Sequence, residues 1–563
     1  MKKGKVKMNI SGNVIRDERV TDFVFAERIV VQKDCSGGEA FCGKHNCQAI
    51  ATDKPVCVLQ PGGWVVFDFG RELHGGIDIV TGWLGEMERE ILVSFGESVM
   101  ETFSHPAHGH AVHEFRQKIS SSAANACGDL GFRFVKLENV EDKPLPLRGL
   151  RARFVHREMT RTAEFHCSDP LLEKIWDTAV YTLELCMQDF VWDGIKRDRL
   201  VWMGDLYPEV ITAAAVLGKQ SVIEKSLDFL RDCTPLPEVI NGITSYSMWW
   251  ILGHRAWFRH FGDVAYLQAQ KTYLLELLEV FAGMVDEKGF SPPAEDRLLI
   301  DWATGMEDRA VLRAGLHGLL CTTFLAGADL CGVLGENAMA DRWRALAGKM
   351  RQCPAELSYS TAGNAFQALA GQCTAEEVYE KAYRGKLPDG LSPFLGCFPL
   401  DVCAGAGHRA EALALLRRYW GGMLQAGATT FWEHFDIRWL EKGGRIDEFV
   451  PPGGRDIHGE TGSGCFTSYR HSLCHGWSSM PAEWLIRQVC GVTLMNARTV
   501  RFAPDLCGLQ EAACSLNTAF GPVRVQLSGK EQHIEVPAGM TLLDCRGQGG
   551  ANVLPDFDGT KLL

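Results

Sequence analysis

The stretch SDPLLEKIWDTAVYTLELCMQDF, residues 168–190, decides the fold. A Ser-Asp start is followed by apolar residues at helical spacing, which predicts an amphipathic helix. The texture before it is different. GGWVVFDFG (62–70), GGIDIVTGW (75–83) and REILVSFGE (89–97) are β-branched and aromatic runs separated by glycine. GFRFVKLENV (131–140) alternates, and LRGLRARFVH (147–156) reads as a last strand. Residues 1–160 are therefore expected to form an antiparallel β-sandwich. Beyond the opening helix, further helices are expected near 206–217, 220–234, 245–262, 264–286, 307–334, 336–352, 376–384, 393–404, 407–426 and 468–491. No period with a shared signature repeats, which disfavours a solenoid. Roughly a dozen helices joined by short loops fit an all-α (α/α)6 barrel over 161–491. Strand texture returns at Val492, with PVRVQLSG (522–529) and EQHIEVPAG (531–539), so 492–563 is expected to be a small C-terminal β domain.

Composition narrows the function classes. The chain has 563 residues, 46% hydrophobic and 23% charged, which excludes wholesale disorder. Lys and Arg number 58 against 70 Asp and Glu, a net charge of −12. An acidic chain without a basic run is a poor partner for nucleic acid or an anionic membrane. No stretch of about 18 apolar residues predicts a transmembrane helix. The basic N-terminus lacks the apolar core of a signal peptide. Twenty cysteines without a CxxC pair point to thiols in a reducing, cytoplasmic setting, with no metal and no cofactor expected. Fifteen tryptophans suit stacking on flat or apolar ligand faces, sugars included.

Three segments concentrate chemistry. FVWDGIKRDRLVWMGDLYPEV (190–210) holds Asp193, Asp198 and Asp205, Lys196, Arg197 and Arg199, Trp192 and Trp202, and Glu209. Charges packed beside tryptophan between apolar helices are costly to desolvate unless paired, so the segment reads as a ligand-facing loop or as a salt-bridged helix start. GATTFWEHFD (427–436) sets Glu433 between Trp432 and His434, where an indole can raise a carboxyl pKa. SYRHSLCHGWSSMPAEWL (468–485) places His475 in a polar stretch within an expected helix. SPPAEDRLLIDWATGMED (291–308) adds Asp301 and Trp302 at the end of an apolar run. Two carboxylates from distant segments are what glycosidic cleavage needs: one protonates the leaving oxygen, the other attacks or activates water.

These residues resemble a known family. WDGIKRDRLVWMGD (192–205) looks like the signature of glycoside hydrolase family 78, the α-L-rhamnosidases. GATTFWE (427–433) and SLCHGW (472–477) resemble two further motifs of that family in the same order. FDFGRELHGG (67–76), VSFGESVMET (93–102) and GFRFVKLE (131–138) resemble its β-sandwich. The resemblance implies an (α/α)6 catalytic barrel flanked by β domains and inverting hydrolysis of terminal α-L-rhamnosides. It implies a general acid in the 193–205 segment and Glu433 as general base. Asp193, Trp202 and His475 match positions that line the sugar pocket, with Asp301 and Trp302 as a further pair; Arg197, Asp205 and Trp432 are further candidates for substrate binding. One departure bears on the acid. The commonest family segment runs Asp, Cys-Pro-Gln, Arg-Asp-Glu-Arg-Leu, whereas Asp193-Gly-Ile-Lys-Arg-Asp-Arg-Leu is one residue shorter. Aligned from Arg-Leu-x-Trp, Asp198 takes the acid's place, one methylene short, with Asp193 and Asp205 as alternatives.

The expected mechanism has Asp198 kept protonated by burial and Glu433 activating a water, with Arg197 and Lys196 holding neighbouring carboxylates ionised. The partner is a small rhamnoside; a homo-oligomer is compatible with the sequence. Two rivals remain: a hydrolase or lyase of another sugar, and a non-catalytic sugar-binding protein. SHPAHGHAVH (104–113) carries four histidines, read as a polar hairpin loop in preference to a metal site.

Overall fold

The glycine-punctuated runs of the N-terminal region form one eight-stranded antiparallel sheet. The computed structural model describes residues 16–48, 50, 55–105, 112–302, 308–441 and 443–547. The strands are β1 (Val20–Val24), β2 (Arg28–Ser36), β3 (Cys57–Val80), β4 (Glu88–Gly96), β5 (Glu114–Ser120), β6 (Ala124–Asn139), β7 (Leu145–Leu147) and β8 (Gly149–His156). They run in the order β1-β8-β3-β6-β4-β5, with β2 and β7 also on β3. The two runs expected at 62–70 and 75–83 are a single strand, β3. Its register on β6 shifts between Asp68 and Leu73 and again between Gly75 and Ile77. Such bulges bend a strand and re-aim its side chains. The segment holding His108 and His110 lies outside the described residues.

A short strand, β9 (Glu164–Cys167), precedes the first helix, α1 (Pro170–Cys186). Asp169 caps α1 by accepting the Leu171 N–H, and Pro170 occupies the first turn, where its missing donor costs nothing. The helices continue as α2 (Met203–Val216), α3 (Ser221–Asp232), α4 (Thr244–Phe261) and α5 (Val264–Ala282). A two-residue hairpin, β10 (Val285–Asp286) and β11 (Gly289–Phe290), leads to α6 (Arg309–Val333), α7 (Asn337–Arg351), α8 (Thr361–Leu369), α9 (Ala375–Val378), α10 (Cys397–Gly405), α11 (Arg409–Gln425) and α12 (Pro481–Gln488). The even-numbered helices α2, α4, α6, α8 and α10 pack in succession, and α12 packs back on α2. α5, α7 and α11 lie against α4, α6 and α10, and α1 touches both α11 and α12. Every residue of α2 is buried, as an inner helix requires. By length and composition α6 could cross a membrane, but 83% of its most apolar window is buried among other helices.

One expected helix is largely absent. Of 468–491, only α12 is α-helical; residues 468–479 are short 3-10 turns and extended backbone, with His475 at φ −138°. Three backbone donors there are taken by distant groups. Leu473 N donates to Glu97 Oε2, His475 N to the Phe431 carbonyl and Gly476 N to the Asp193 carbonyl. None of the three is left for an i−4 carbonyl. The short α8, with three alanines in nine residues, was not expected from periodicity.

The C-terminal strands are β12 (Val492–Asn496), β13 (Thr499–Phe502), β14 (Glu511–Thr518), β15 (Gly521–Ser528), β16 (Glu531–Glu535) and β17 (Thr541–Asp544). They make two sheets, and β9 is an edge strand of one of them, antiparallel to β14. The C-terminal sheet thus reaches back across the start of the helical region.

Arg487 ties α12 to α10. Its guanidinium donates to Asp401 Oδ1 at 2.9 Å and to Glu483 Oε1 at 2.8 Å, with Arg487 and Asp401 at 1% and 0% exposure. Breaking a buried pair leaves a charge uncompensated. Arg487→Met is expected to destabilise the fold by about 3–5 kcal/mol, read as a shifted urea midpoint at unchanged slope.

Candidate active site

A pocket of about 630 Å³ opens where non-helical segments of the helical region meet. Its wall draws on Asp193, Arg197, Asp198, Trp202 and Asp205 from one segment and on Glu433, His475 and Trp477 from two others. Tyr246, Arg297, Trp302, Cys465, Phe466 and Arg470 complete it. The three segments singled out in the sequence therefore meet.

Non-helical backbone builds the floor. Thr430 Oγ1 donates to the Leu473 carbonyl at 2.7 Å, Glu433 N donates to the Ser472 carbonyl at 2.9 Å, and Phe431 N donates to Thr182 Oγ1 on α1. The N-terminal sheet braces the same segments. Arg133 on β6 grips Asp68 with two nitrogens and gives a third to the Gly427 carbonyl at 2.9 Å. Glu72 N donates to Thr429 Oγ1. Ile195 and Cys474 belong to the core of the sheet. Gly131 on β6 permits this approach: a Cβ there would lie 2.7 Å from the Ile195 side chain and 3.0 Å from Lys196 N.

Glu433 is buried and held on several sides. One Arg197 nitrogen lies 2.6 Å from each of its oxygens, and Ser472 N donates to Oε2 at 2.9 Å. Burial works against its charge, but Arg197 and His475 bring its pKa below the ordinary value, so Glu433 is an ionised carboxylate. This corrects the expectation that the neighbouring indole governs it. Trp477 Nε1 donates to the Glu433 carbonyl at 3.1 Å, and the Trp477 ring stacks on Phe394.

The other nitrogen edge of Arg197 faces Asp198 at 3.2 Å. Asp198 and Arg199 both have φ 54°, a left-handed turn that carries Asp198 to the pocket rim. The expectation that Asp198 is buried is overturned: its side chain is 33% exposed. A carboxyl kept neutral by burial is present instead at Asp193, which burial pushes well above the ordinary carboxylate range while Oδ1 accepts Leu200 N at 2.9 Å. Glu209, one turn along α2 from Asp205, is likewise buried and raised. Its Oε1 leaves no room beside Gly476, where a Cβ would lie at 1.7 Å.

Asp205 sits in the first turn of α2 and its Oδ1 is 2.8 Å from His475 Nε2. Burial opposes a charged imidazole, but the Glu433 and Asp205 carboxylates raise His475 to about 8. Trp302 Nε1 donates to the Tyr246 hydroxyl at 3.0 Å, and Arg297 lies 4.9 Å over the Trp302 ring.

Two expected pocket residues lie elsewhere. Asp301 is buried and accepts the Ser392 hydroxyl, outside the pocket wall. Trp432 packs edge-on to Phe435 within the helical core. Alternation in sequence turns both away from the cavity that their neighbours Trp302 and Glu433 line. Tyr246, Arg297, Phe466 and Arg470 were missed, because an isolated residue in a helix or loop gives no signal of the cavity it faces.

Known proteins were compared with this geometry. Residues 160–362 match the family model described as the bacterial alpha-L-rhamnosidase 6 hairpin glycosidase domain. The fold is that of the family 78 rhamnosidases. The rhamnosidase of Bacillus sp. GL1 superposes with a TM-score of 0.72 at 22% identity, over 89% of this chain and 55% of that one. The Klebsiella oxytoca rhamnosidase with rhamnose bound gives 0.65 at 20% identity, over 84% and 96%. The Streptomyces avermitilis α-L-rhamnosidase complexed with L-rhamnose gives 0.65 at 18%, over 88% and 50%. The chain spans about half the length of the Bacillus and Streptomyces rhamnosidases. No curated protein matches it.

The raised His475 makes a pH prediction. A histidine whose folded pKa lies above the ordinary value of 6.5 stabilises fully below that pH and loses the contribution as pH rises through about 8. The shift corresponds to about 2 kcal/mol. Unfolding free energy of the wild type, less that of His475→Gln, should fall by that order between pH 6 and 9; a flat difference would refute the pairing.

Proposed function

We propose that the chain is an inverting α-L-rhamnosidase that releases terminal rhamnose from small rhamnosides, with Asp198 as general acid and Glu433 as general base. The observation that carries this reading is that the two carboxyls line one pocket in opposite surroundings, Glu433 buried and bonded to Arg197 and Asp198 open to solvent. The helix order supports an (α/α)6 barrel as the scaffold: the even-numbered helices neighbour one another and α12 returns to α2. The bent N-terminal sheet supports a β-sandwich over 1–160, and Val492 begins the C-terminal β domain.

An exo-acting hydrolase buries the terminal sugar and leaves the aglycone outside, so the glycosidic oxygen lies at the mouth. An acid at the rim is where that oxygen is. Asp198 there receives its proton from solvent, and bound substrate removes the water around it. Glu433, ionised before the reaction, deprotonates a water held deeper in the pocket. A carboxylate on each edge of one guanidinium is compatible with the roughly 6.5–9.5 Å of an inverting pair, wider than the roughly 5–5.5 Å of a retaining one. Trp202, Trp302 and Trp477 offer apolar faces to the sugar ring and its 6-methyl group. The rhamnose-bound relatives support a sugar in this pocket. Twenty free thiols support a cytoplasmic location.

Asp193 is a second reading for the acid, favoured by its burial and raised pKa. Leaving groups separate the two. Glu433→Gln should lower kcat on every rhamnoside by about 10²–10⁴. Asp198→Asn should lower it comparably on an unactivated rhamnosyl disaccharide and much less on 4-nitrophenyl α-L-rhamnopyranoside, whose phenolate needs little protonation. If Asp193→Asn shows that leaving-group dependence and Asp198→Asn does not, Asp193 is the acid. Proton NMR of the first product should show β-L-rhamnose; α-L-rhamnose would exclude inversion, and an unsaturated product would indicate a lyase.

A further inference from the structure

Behind the pocket lies a second charged cluster that the reaction just described does not use. Glu97, at the end of β4, and Glu101, in the 3-10 turn Met100–Phe103, come from the N-terminal sheet. Together with His458 they present ligand atoms within 4.8 Å of one another, the arrangement of a cation site. The chain supplies the cation itself. Lys196 Nζ lies 2.6 Å from Glu101 Oε1 and 3.5 Å from Glu97 Oε2, with its side chain 2% exposed. His458 adds no charge there; burial lowers it to about 4. It bonds Ser98 Oγ through Nδ1 and donates from Nε2 to the His471 carbonyl.

The cluster reaches Glu433 by two routes. Lys196 immediately precedes Arg197, and its Nζ also donates to the His471 carbonyl at 3.2 Å. Glu97 accepts Leu473 N at 2.6 Å and the Ser472 hydroxyl at 3.2 Å, while Ser472 N donates to Glu433 Oε2. The Arg197 guanidinium and the Ser472 amide are both donors on Glu433, and each is tethered to one of the two sheet carboxylates.

We infer that Glu97, Glu101 and Lys196 are positioning residues that set the geometry of Glu433 through Arg197 and Ser472, which makes the N-terminal sheet a working part of the active site. The inference rests on the proposed role of Glu433. Removing one charge of a buried pair threatens folding, so the decisive variant removes both: Lys196→Met with Glu101→Gln. That protein should fold, with an unchanged circular dichroism spectrum, and should lose tenfold or more in kcat on a rhamnosyl disaccharide while KM stays within about twofold. The titratable and charged groups facing Glu433 are Arg197, His475, Asp205, His434 and Cys465. With Arg197 released, Glu433 becomes harder to ionise, and the acid limb of the kcat/KM profile should move to higher pH. Lys196→Arg, which keeps the cation, should retain most of the activity. A folded double variant with the wild-type kcat and acid limb overturns the positioning role and leaves the proposed activity intact. A folded wild type that cleaves no rhamnoside overturns the activity itself, and the positioning role with it.

Discussion

The Arg197–Glu433 pair is the constraint on which the rest of the site depends. A carboxylate buried without a cation would take up a proton and cease to be a base. Arg197 comes from the loop between α1 and α2 and Glu433 from the segment after α11, 236 positions apart. Their meeting fixes how the first and last parts of the helical region pack. Desolvating two charges offsets much of their attraction, so the pair gives little net stability but makes wrong packing expensive. Arg197 has its remaining donors on the Arg470 carbonyl and on Asp198, so the guanidinium has one orientation.

Holding that orientation requires the N-terminal sheet. The segments that carry Arg197, Glu433 and His475 are not helical where they line the pocket, and irregular backbone has no internal ladder to satisfy its polar groups. The sheet supplies the partners. Arg133 takes the Gly427 carbonyl, Glu72 meets Thr429, Glu97 takes Leu473 N, and Gly131 leaves space for Ile195. Strands in a sheet are stiff at this scale, so donors mounted on them locate a loop better than another loop would.

Most of the fold was legible because periodicity and burial agree. α1, α5, α7 and α11 have one apolar face against the core, and their residues advertise it. The misread stretch, 468–479, leads into an apolar helix, but amide protons in it are claimed by Phe431, 44 positions away, and by Asp193 and Glu97, hundreds of positions away. Periodicity cannot show a competing acceptor in another segment. The site was legible where charged residues crowd together against tryptophan, as at 193–205. It was not legible for Tyr246 and Arg297, whose neighbours are ordinary helix and loop. Nor could composition reveal that Asp198 faces outward while Asp193, five positions earlier, faces in. That difference comes from two residues in the left-handed region, a backbone choice made by the surrounding packing.

Counting cations explains which carboxyls of the pocket are charged. Four acids lie in or just beneath its buried wall: Asp193, Asp205, Glu209 and Glu433. Of the basic groups in the pocket wall, Arg197 and His475 act on them most strongly. Arg197 is bonded to Glu433, and His475 is bonded to Asp205 and also faces Glu433 and Asp193. His475 offsets burial only in part at Asp193, no cation acts on Glu209, and Glu209 Oε1 has no hydrogen-bond partner among the described residues. Both therefore stay neutral, raised by burial with nothing to oppose it fully. A neutral carboxyl donates a hydrogen bond, whereas an ionised one only accepts. The pocket thus offers an uncharged sugar both kinds of partner, with negative charge concentrated on Glu433. The rim acid is outside this arithmetic, because solvent reaches Asp198 and can return its proton after each turnover. Depth, rather than residue type, divides the labour between the carboxyls.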